Sequence, residues 1–477
     1  MIPGPDTAAA IATSRFGFGA RPGELTGVAG DPRGWLLEQV RKPYQPSAEL
    51  DGLATGQEAL SEFLQGRAER QAARKDARND APDGAAKPPD PVQARLRPLY
   101  QAHAEARTRI ALASPDSFRE RLVHFWANHF AVSVDKQICL AAAGALEMEA
   151  IRPHVGGRFA DMLLAVETHP AMVTYLDNQQ SVGPHSEFAT RRARRARFDD
   201  AARQQRIGLN ENLAREILEL HTLGVDGGYH QSDVTTFAAV ITGWSIGGGE
   251  GRLAAGTPGA FVFRAPLHEP GAKTLLGRRY ADDGFAQGTA VLRDLAEQPA
   301  TARHLATKLA RHFVADEPPA ALVDALAHAY LSRGGELGAM YATLVGADAA
   351  WDAAPRKFKT PVDFIYSSLR ALDGAPRDPK QLLASFELLG QRHWGPGSPA
   401  GWPDREQDWD GADALMQRIE WSVALADRVG NARSAHAAAD GALGPLATPS
   451  TRSALAHASS GAQALALLLM SPEFQRR

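Results

Sequence analysis

Residues 210–224 read Asn-Glu-Asn-Leu-Ala-Arg-Glu-Ile-Leu-Glu-Leu-His-Thr-Leu-Gly, and they constrain this chain more than any other stretch. On a helix of roughly 100° per residue, Glu211, Asn212, Arg215, Glu216 and Glu219 fall within one arc of roughly 140°. Leu213, Ala214, Ile217, Leu218, Leu220 and His221 fill the rest. Asn210 suits the helix cap and Gly224 the left-handed stop. The polar face opposite so broad an apolar arc is either ordinary surface or the wall of a site.

The 477 residues can bury a large core and are enough for two or three lobes. A net charge of −3 argues against non-specific binding to a polyanion. Cys139 is the single cysteine, so the chain has neither an intrachain disulfide nor a cysteine-based metal cage, and a buried structural thiol is expected. No apolar run of about 18 residues predicts a membrane span. The first residues lack the basic start of an export signal, so a cytoplasmic protein is expected.

Helical text dominates the rest. Arg15-Phe16-Gly17-Phe18-Gly19 is a Gly-aromatic turn that packs a loop or lets backbone approach a ligand. Residues 58–74 read as a helix, and the Asp/Ala/Pro-rich segment 75–95 as a flexible insertion. Within 98–134, Arg121, His124 and Asn128 are spaced i, i+3, i+7 and share a helix face. They belong either to a buried helix bonding its neighbours or to a site. His129 is five residues from His124, so the two are not the histidine pair of a zinc-protease helix. The basic run Arg191-Arg192-Ala193-Arg194-Arg195, within 179–208, lacks the interleaved aromatics of a nucleic-acid surface. The helical period fails over 246–280, where Phe261-Val262-Phe263 and Lys273-Thr274-Leu275 predict a small β-hairpin or ribbon. Its turn sets His268, Glu269 and Lys273 together. His304, Lys308 and Arg311 form a basic stripe at i, i+4, i+7, a candidate to face the acidic helix. Residues 390–403, rich in Trp, Pro and Gly, pack irregularly over the core.

The fold expected is mainly α, a multi-helix orthogonal bundle with the ribbon as an insertion. It divides into an N-terminal helical lobe (1–74), a central core (96–245) and a C-terminal lobe (281–477).

These motifs occur in a familiar order: Arg15-Phe-Gly-Phe-Gly19, His124-Phe-Trp-Ala-Asn128-His129-Phe130, Tyr175-Leu-Asp-Asn178, the 210–224 stretch, Thr242-Gly-Trp244, His268 to Lys273, Lys308-Leu-Ala-Arg-His-Phe313, Gly401-Trp402 and Ser471-Pro-Glu-Phe474. Over nearly its full length the chain resembles the bacterial family catalogued as domain of unknown function 1800. The resemblance implies a mostly helical protein without an established reaction. It also implies relatives that are often exported, and a sulfatase/alkaline-phosphatase-like neighbouring protein as partner. His230 stands where relatives tend to have Thr, which moves the expected helix cap to Ser232.

The same residues admit two readings. In the first, Glu216 and Glu219, at i, i+3, ligate a divalent metal with His124 or His268. Arg215 and Lys308 then hold an anionic substrate, and Glu211 or Glu219 is the base. Asn128, Asn212 and Lys273 complete the polar surroundings. His221 lies roughly 160° from Glu219 on an uninterrupted helix and joins them only if the helix unwinds at Leu220. In the second reading the protein is a non-catalytic scaffold or assembly partner, and the same residues form an inter-helix salt-bridge network. A scaffold pairs Glu216 and Glu219 with cations such as Arg215 or Arg121, whereas a metal site leaves carboxylates facing across a gap.

Overall fold

Amphipathic helices spaced through most of this sequence leave little for a sheet to do, and the computed structural model bears that out. It describes residues 3–80, 89–195, 208–248, 255–374 and 378–477. Helices dominate, and the strands among the described residues are two short antiparallel pairs. β1 (Trp244–Ile246) pairs with β2 (Phe261–Phe263), and β3 (Lys273–Leu275) with β4 (Arg278–Tyr280). The ribbon expected over 246–280 is therefore two hairpin-like pairs.

Seven helices frame the polar interior and one exposed apolar face. α1 is Pro91–Ala113, α2 is Ser117–His129 and α3 is Asn212–Glu216, continued by a π turn over Ile217–His221. α4 is Gln231–Val240, α5 Pro299–Phe313, α6 Pro361–Leu372 and α7 Ala412–Val429. Local chemistry explains most ends. Pro299 and Pro361 open α5 and α6 at positions where the missing N–H costs nothing. Thr360 caps α6 through the Asp363 amide. The N-cap of α3 is Glu211 and not Asn210, which stands one residue earlier; Asn210 accepts from the Asn212 amide at 3.0 Å, while its amide nitrogen donates to Leu176 O and Asp177 O. Gly224 has φ +85°, the left-handed stop that its position implies.

The structure departs from the sequence reading at three further places. The helix expected over 58–74 runs over Gly56–Asp80, and residues 81–88 of the 75–95 insertion lie outside the described residues. Of the 179–208 segment, Glu187–Arg195 is helical and 196–207 lies outside them. The α4 cap does not shift to Ser232. The helix begins at Gln231, because Asp233 reaches back to accept from the His230 amide at 2.9 Å.

Apolar side chains gather into two cores. The larger takes residues from Ala8 to Trp351, together with Trp394, and includes Leu122, Trp126, Ile217 and Phe313. The second centres on α6 and the helices after it, and also draws in Phe18 and Ala111. Cys139 is buried in the larger core, and desolvation pushes its thiol up to about 12, which makes it inert. No helix is long and apolar enough to cross a membrane among the described residues.

Candidate functional site

The two cores meet around a cavity of about 310 Å³, walled by α2, α5, the start of α6 and the 391–408 segment. Helical spacing sets what α2 shows it: Arg121, His124 and Asn128 share one face, as the sequence implies, and all three line it. From α5 come Lys308, Arg311 and His312, and from α6 Asp363.

Asn128 positions rather than reacts. Its amide donates to Trp402 O at 2.9 Å and accepts from the Trp402 amide at 2.7 Å, which clamps the loop that carries Asp404. Gly401, at φ +85°, lets this backbone pass: a Cβ there would stand 2.3 Å from Asn128 O. Gly401→Ala is expected to destabilise the protein by more than about 1 kcal/mol, and to weaken any ligand bound in the cavity. Urea unfolding beside ligand titration checks both effects.

Asp404 holds His312. Its Oδ2 accepts from His312 Nδ1 at 3.0 Å, and Lys357 and Arg477 approach its other oxygen. The hydrogen bond from His312 and the charges of Lys357 and Arg477 hold the Asp404 carboxyl well below the carboxylate range against the opposing effect of burial, so it is ionised. An ionised oxygen only accepts, so Nδ1 carries the hydrogen. Burial keeps the His312 ring below its ordinary pKa despite Asp404, leaving it neutral with a bare lone pair on Nε2. That Nε2 is buried and has no hydrogen-bond partner among the described residues. Phe125 packs against the ring at 5.3 Å between centroids.

Most of the cations are already committed. Arg121 binds Asp363 through two nitrogens at 3.0 and 3.1 Å and donates to Gly17 O. Arg107 binds Glu147 at 2.8 Å, Arg392 pairs with Asp135, and Arg405 with Glu317. Lys308 has no such partner among the described residues, and desolvation lowers its ammonium to about 8. Arg311 spends only Nε, on Asp316 O at 3.0 Å.

The 210–224 stretch reaches this cavity indirectly. The helix is not uninterrupted, since its last turn is π. That turn does not bring His221 round to Glu219; it sends the ring into the core, where Nδ1 meets Glu167 Oε1 at 2.8 Å. It also frees two carbonyls. His304 Nε2 lies 3.0 Å from Leu220 O, and His129 Nε2 lies 3.1 Å from His221 O. Both imidazoles donate there, which ties α5 and α2 to the π turn. The basic stripe therefore meets helix-end carbonyls through His304 and turns Lys308 and Arg311 to the cavity, so it does not face the acidic side of α3.

The acidic side itself is scattered. Glu211 accepts from Arg215 at 3.1 Å, Gln231 at 2.8 Å and Thr235 at 2.7 Å, all near the surface. Glu219 accepts from Tyr229 OH at 3.3 Å, and Asn212 is exposed. Glu216 is half-buried, and desolvation raises its carboxyl above the usual range. Neither Glu216 nor Glu219 has a cation partner among the described residues, because Arg215 turns to Glu211 and Arg121 to Asp363. His268 bonds Thr242 O at 3.0 Å beside the ribbon, and Lys273 donates to Glu269 O and Gly271 O, both as loop braces. Glu216, Glu219, His124 and His268 are thus not brought together. No group of three or more His, Cys, Asp or Glu side chains is placed to hold a metal ion among the described residues.

Of the site residues expected from sequence, Lys308, His124 and Asn128 come together in the cavity. Sequence reasoning misses His312, Asp404 and Asp363. His312 is within its reach, one helical turn after Lys308 in the basic stripe. Asp404 is not, because it follows an irregular loop and lies 92 residues from its histidine.

Sequence comparison adds one finding. The sequence model of a family described as "Protein of unknown function (DUF1800)" matches residues 11–476. Neither the curated proteins nor the solved structures include a match to this chain.

Proposed function

The chain belongs to the DUF1800 family of unknown function, and for this member we propose base-assisted chemistry, hydrolytic or related, on a small anionic substrate in the α2/α5 cavity. The observation that carries this reading is the His312–Asp404 pair: one ring nitrogen fixed by an ionised carboxylate, the other buried and unpartnered in the wall of a cavity. A neutral imidazole held in this tautomer takes a proton at Nε2 from water or a substrate O–H, and Asp404 stabilises the imidazolium formed. Lys308 and Arg311, the cations with capacity to spare, hold the substrate's anion.

Release of nitrophenolate from anionic 4-nitrophenyl esters, phosphates and glycosides tests this. Turnover of at least one is expected, falling about 10²–10⁴-fold in His312→Gln at an unchanged melting temperature. Turnover that is indifferent to His312→Gln, or no turnover of any substrate that binds, would remove the base from the account. The Lys308 ammonium near 8 adds a pH signature: anion binding should weaken as pH rises through about 8, where the group loses its proton.

The scaffold reading keeps one observation in its favour. Met416, Ile419 and Val423 expose an apolar stripe on one face of α7, with Leu467 exposed on the helix packed against it. In that reading a sulfatase/alkaline-phosphatase-like partner covers the stripe, and Ile419→Lys abolishes co-elution of the two purified proteins.

A further inference from the structure

The groups left without partners in the cavity describe what would fill it. On the α5 side stand the Lys308 ammonium and the two outer nitrogens of Arg311, one turn apart and uncommitted among the described residues. This is enough for one carboxylate or phosphate group. The remaining cations in the wall are paired with Asp363, Glu147, Asp135 and Glu317, so a second anionic group would find no free cation.

Three ring nitrogens are also open, two of them fixed as acceptors by the bond the other nitrogen makes. His129 spends its N–H on His221 O, which leaves Nδ1 as a bare lone pair, buried and unpartnered. His312 does the same in mirror sense, with Nδ1–H on Asp404 and Nε2 bare. His124 presents a third buried, unpartnered ring nitrogen, Nε2. Lone pairs in this arrangement ask for O–H donors, and a buried acceptor left unmet is costly. Between them the wall is aromatic: Phe18, Phe125, Trp394 and Trp402. Such faces pack against the C–H surface of a ring. The volume, about 310 Å³, is at the lower end of small-molecule sites.

We propose that the cavity takes a hydroxylated molecule of monosaccharide size that carries one anionic group. Its single carboxylate or phosphate lies against Lys308 and Arg311, its hydroxyls donate to the free nitrogens of His129 and His312 and bond His124 Nε2, and its ring packs on the aromatic wall. This assignment rests on the proposed reading of the cavity as an anion site. The His312 Nε2 that receives a ligand hydroxyl is the same atom that would take its proton.

Calorimetric titration of the full chain at pH 7 with four probes separates the parts. Glucuronate and glucose 6-phosphate carry both features, glucose lacks the anion, and cyclohexanecarboxylate lacks the hydroxyls. At least one acidic sugar is expected to bind tenfold or more tightly than either control, and the better of the two identifies carboxylate or phosphate as the anion. Lys308→Met and, independently, Arg311→Met should each weaken it at least tenfold, while His124→Phe should weaken the acidic sugar but leave cyclohexanecarboxylate unchanged. Cyclohexanecarboxylate binding as tightly as the acidic sugars would overturn the hydroxylated ligand and leave the anion site standing. Binding of none of the anionic probes, or binding indifferent to both α5 variants, would overturn the two together.

Discussion

Asp363→Ala is expected to lower the unfolding free energy by about 3–5 kcal/mol, the range for breaking a buried ion pair from one side. The Asp363 carboxylate is buried and paired with two guanidinium groups: Arg121 donates a hydrogen bond at 3.1 Å and makes a second contact at 3.0 Å, and Arg477 Nε approaches to 2.9 Å. Arg121 and Arg477 hold its carboxyl at about 2, against the opposing pull of burial. Removing it leaves Arg121 in low dielectric without a counter-charge and Arg477 with only the more distant Asp404. The pair also ties the two cores together. Leu122 and Val123 beside Arg121 belong to the larger core, and Val362 and Phe364 beside Asp363 to the second. A shift of the urea midpoint without a change in slope would identify the loss as stability. The exposed pair Arg303–Asp324, at 2.7 Å, is the control. Its removal should cost below about 1 kcal/mol, and a similar loss at both sites would contradict the account.

The second large effect is with acid. His124, His129 and His393 are held well below their ordinary pKa by burial, first of all, and then by neighbouring positive charge; His304 is lowered to about 4 for the same reasons. Their folded values lie below the unfolded value, so the folded chain binds fewer protons than the unfolded one. Stability is then fully present above about pH 6.5 and falls as pH drops towards the folded values, by about 1.4 kcal/mol per pH unit for each histidine that stays neutral. Four such groups predict a steep loss between about pH 6 and pH 4.5, ahead of the carboxylate range in which Asp363 and Asp404 lose their charge. His304→Gln should reduce the slope by one proton. Urea midpoints measured across this range check it, and a stability independent of pH from about 7 to 5 would show that these rings are not neutral in the fold.

How far the sequence carries depends on whether a feature is local. The face formed by Arg121, His124 and Asn128 follows from helical spacing alone, and so do the placement of Lys308 with Arg311 and the stop at Gly224. Spacing cannot supply the π turn at Ile217–His221, because its freed carbonyls are satisfied by histidines from two other helices. Reading the acidic face of α3 as the reacting surface puts weight on carboxylates that the fold leaves apart. The groups that do converge pair across long stretches of chain: Arg121 with Asp363 across 242 residues, His312 with Asp404 across 92. Asp404 stands in an irregular segment whose course is set by Asn128 and by the backbone room at Gly401, and neither periodicity nor composition encodes such a contact.

Locating an anion directly is the shortest test of the central claim. Crystals of the full chain soaked in sodium bromide should show anomalous scattering inside the cavity, against Lys308 and the outer nitrogens of Arg311 and beside His312, with that peak absent from Lys308→Met crystals. Bromide found only at exposed cations such as Arg303, with none in the cavity, would contradict it.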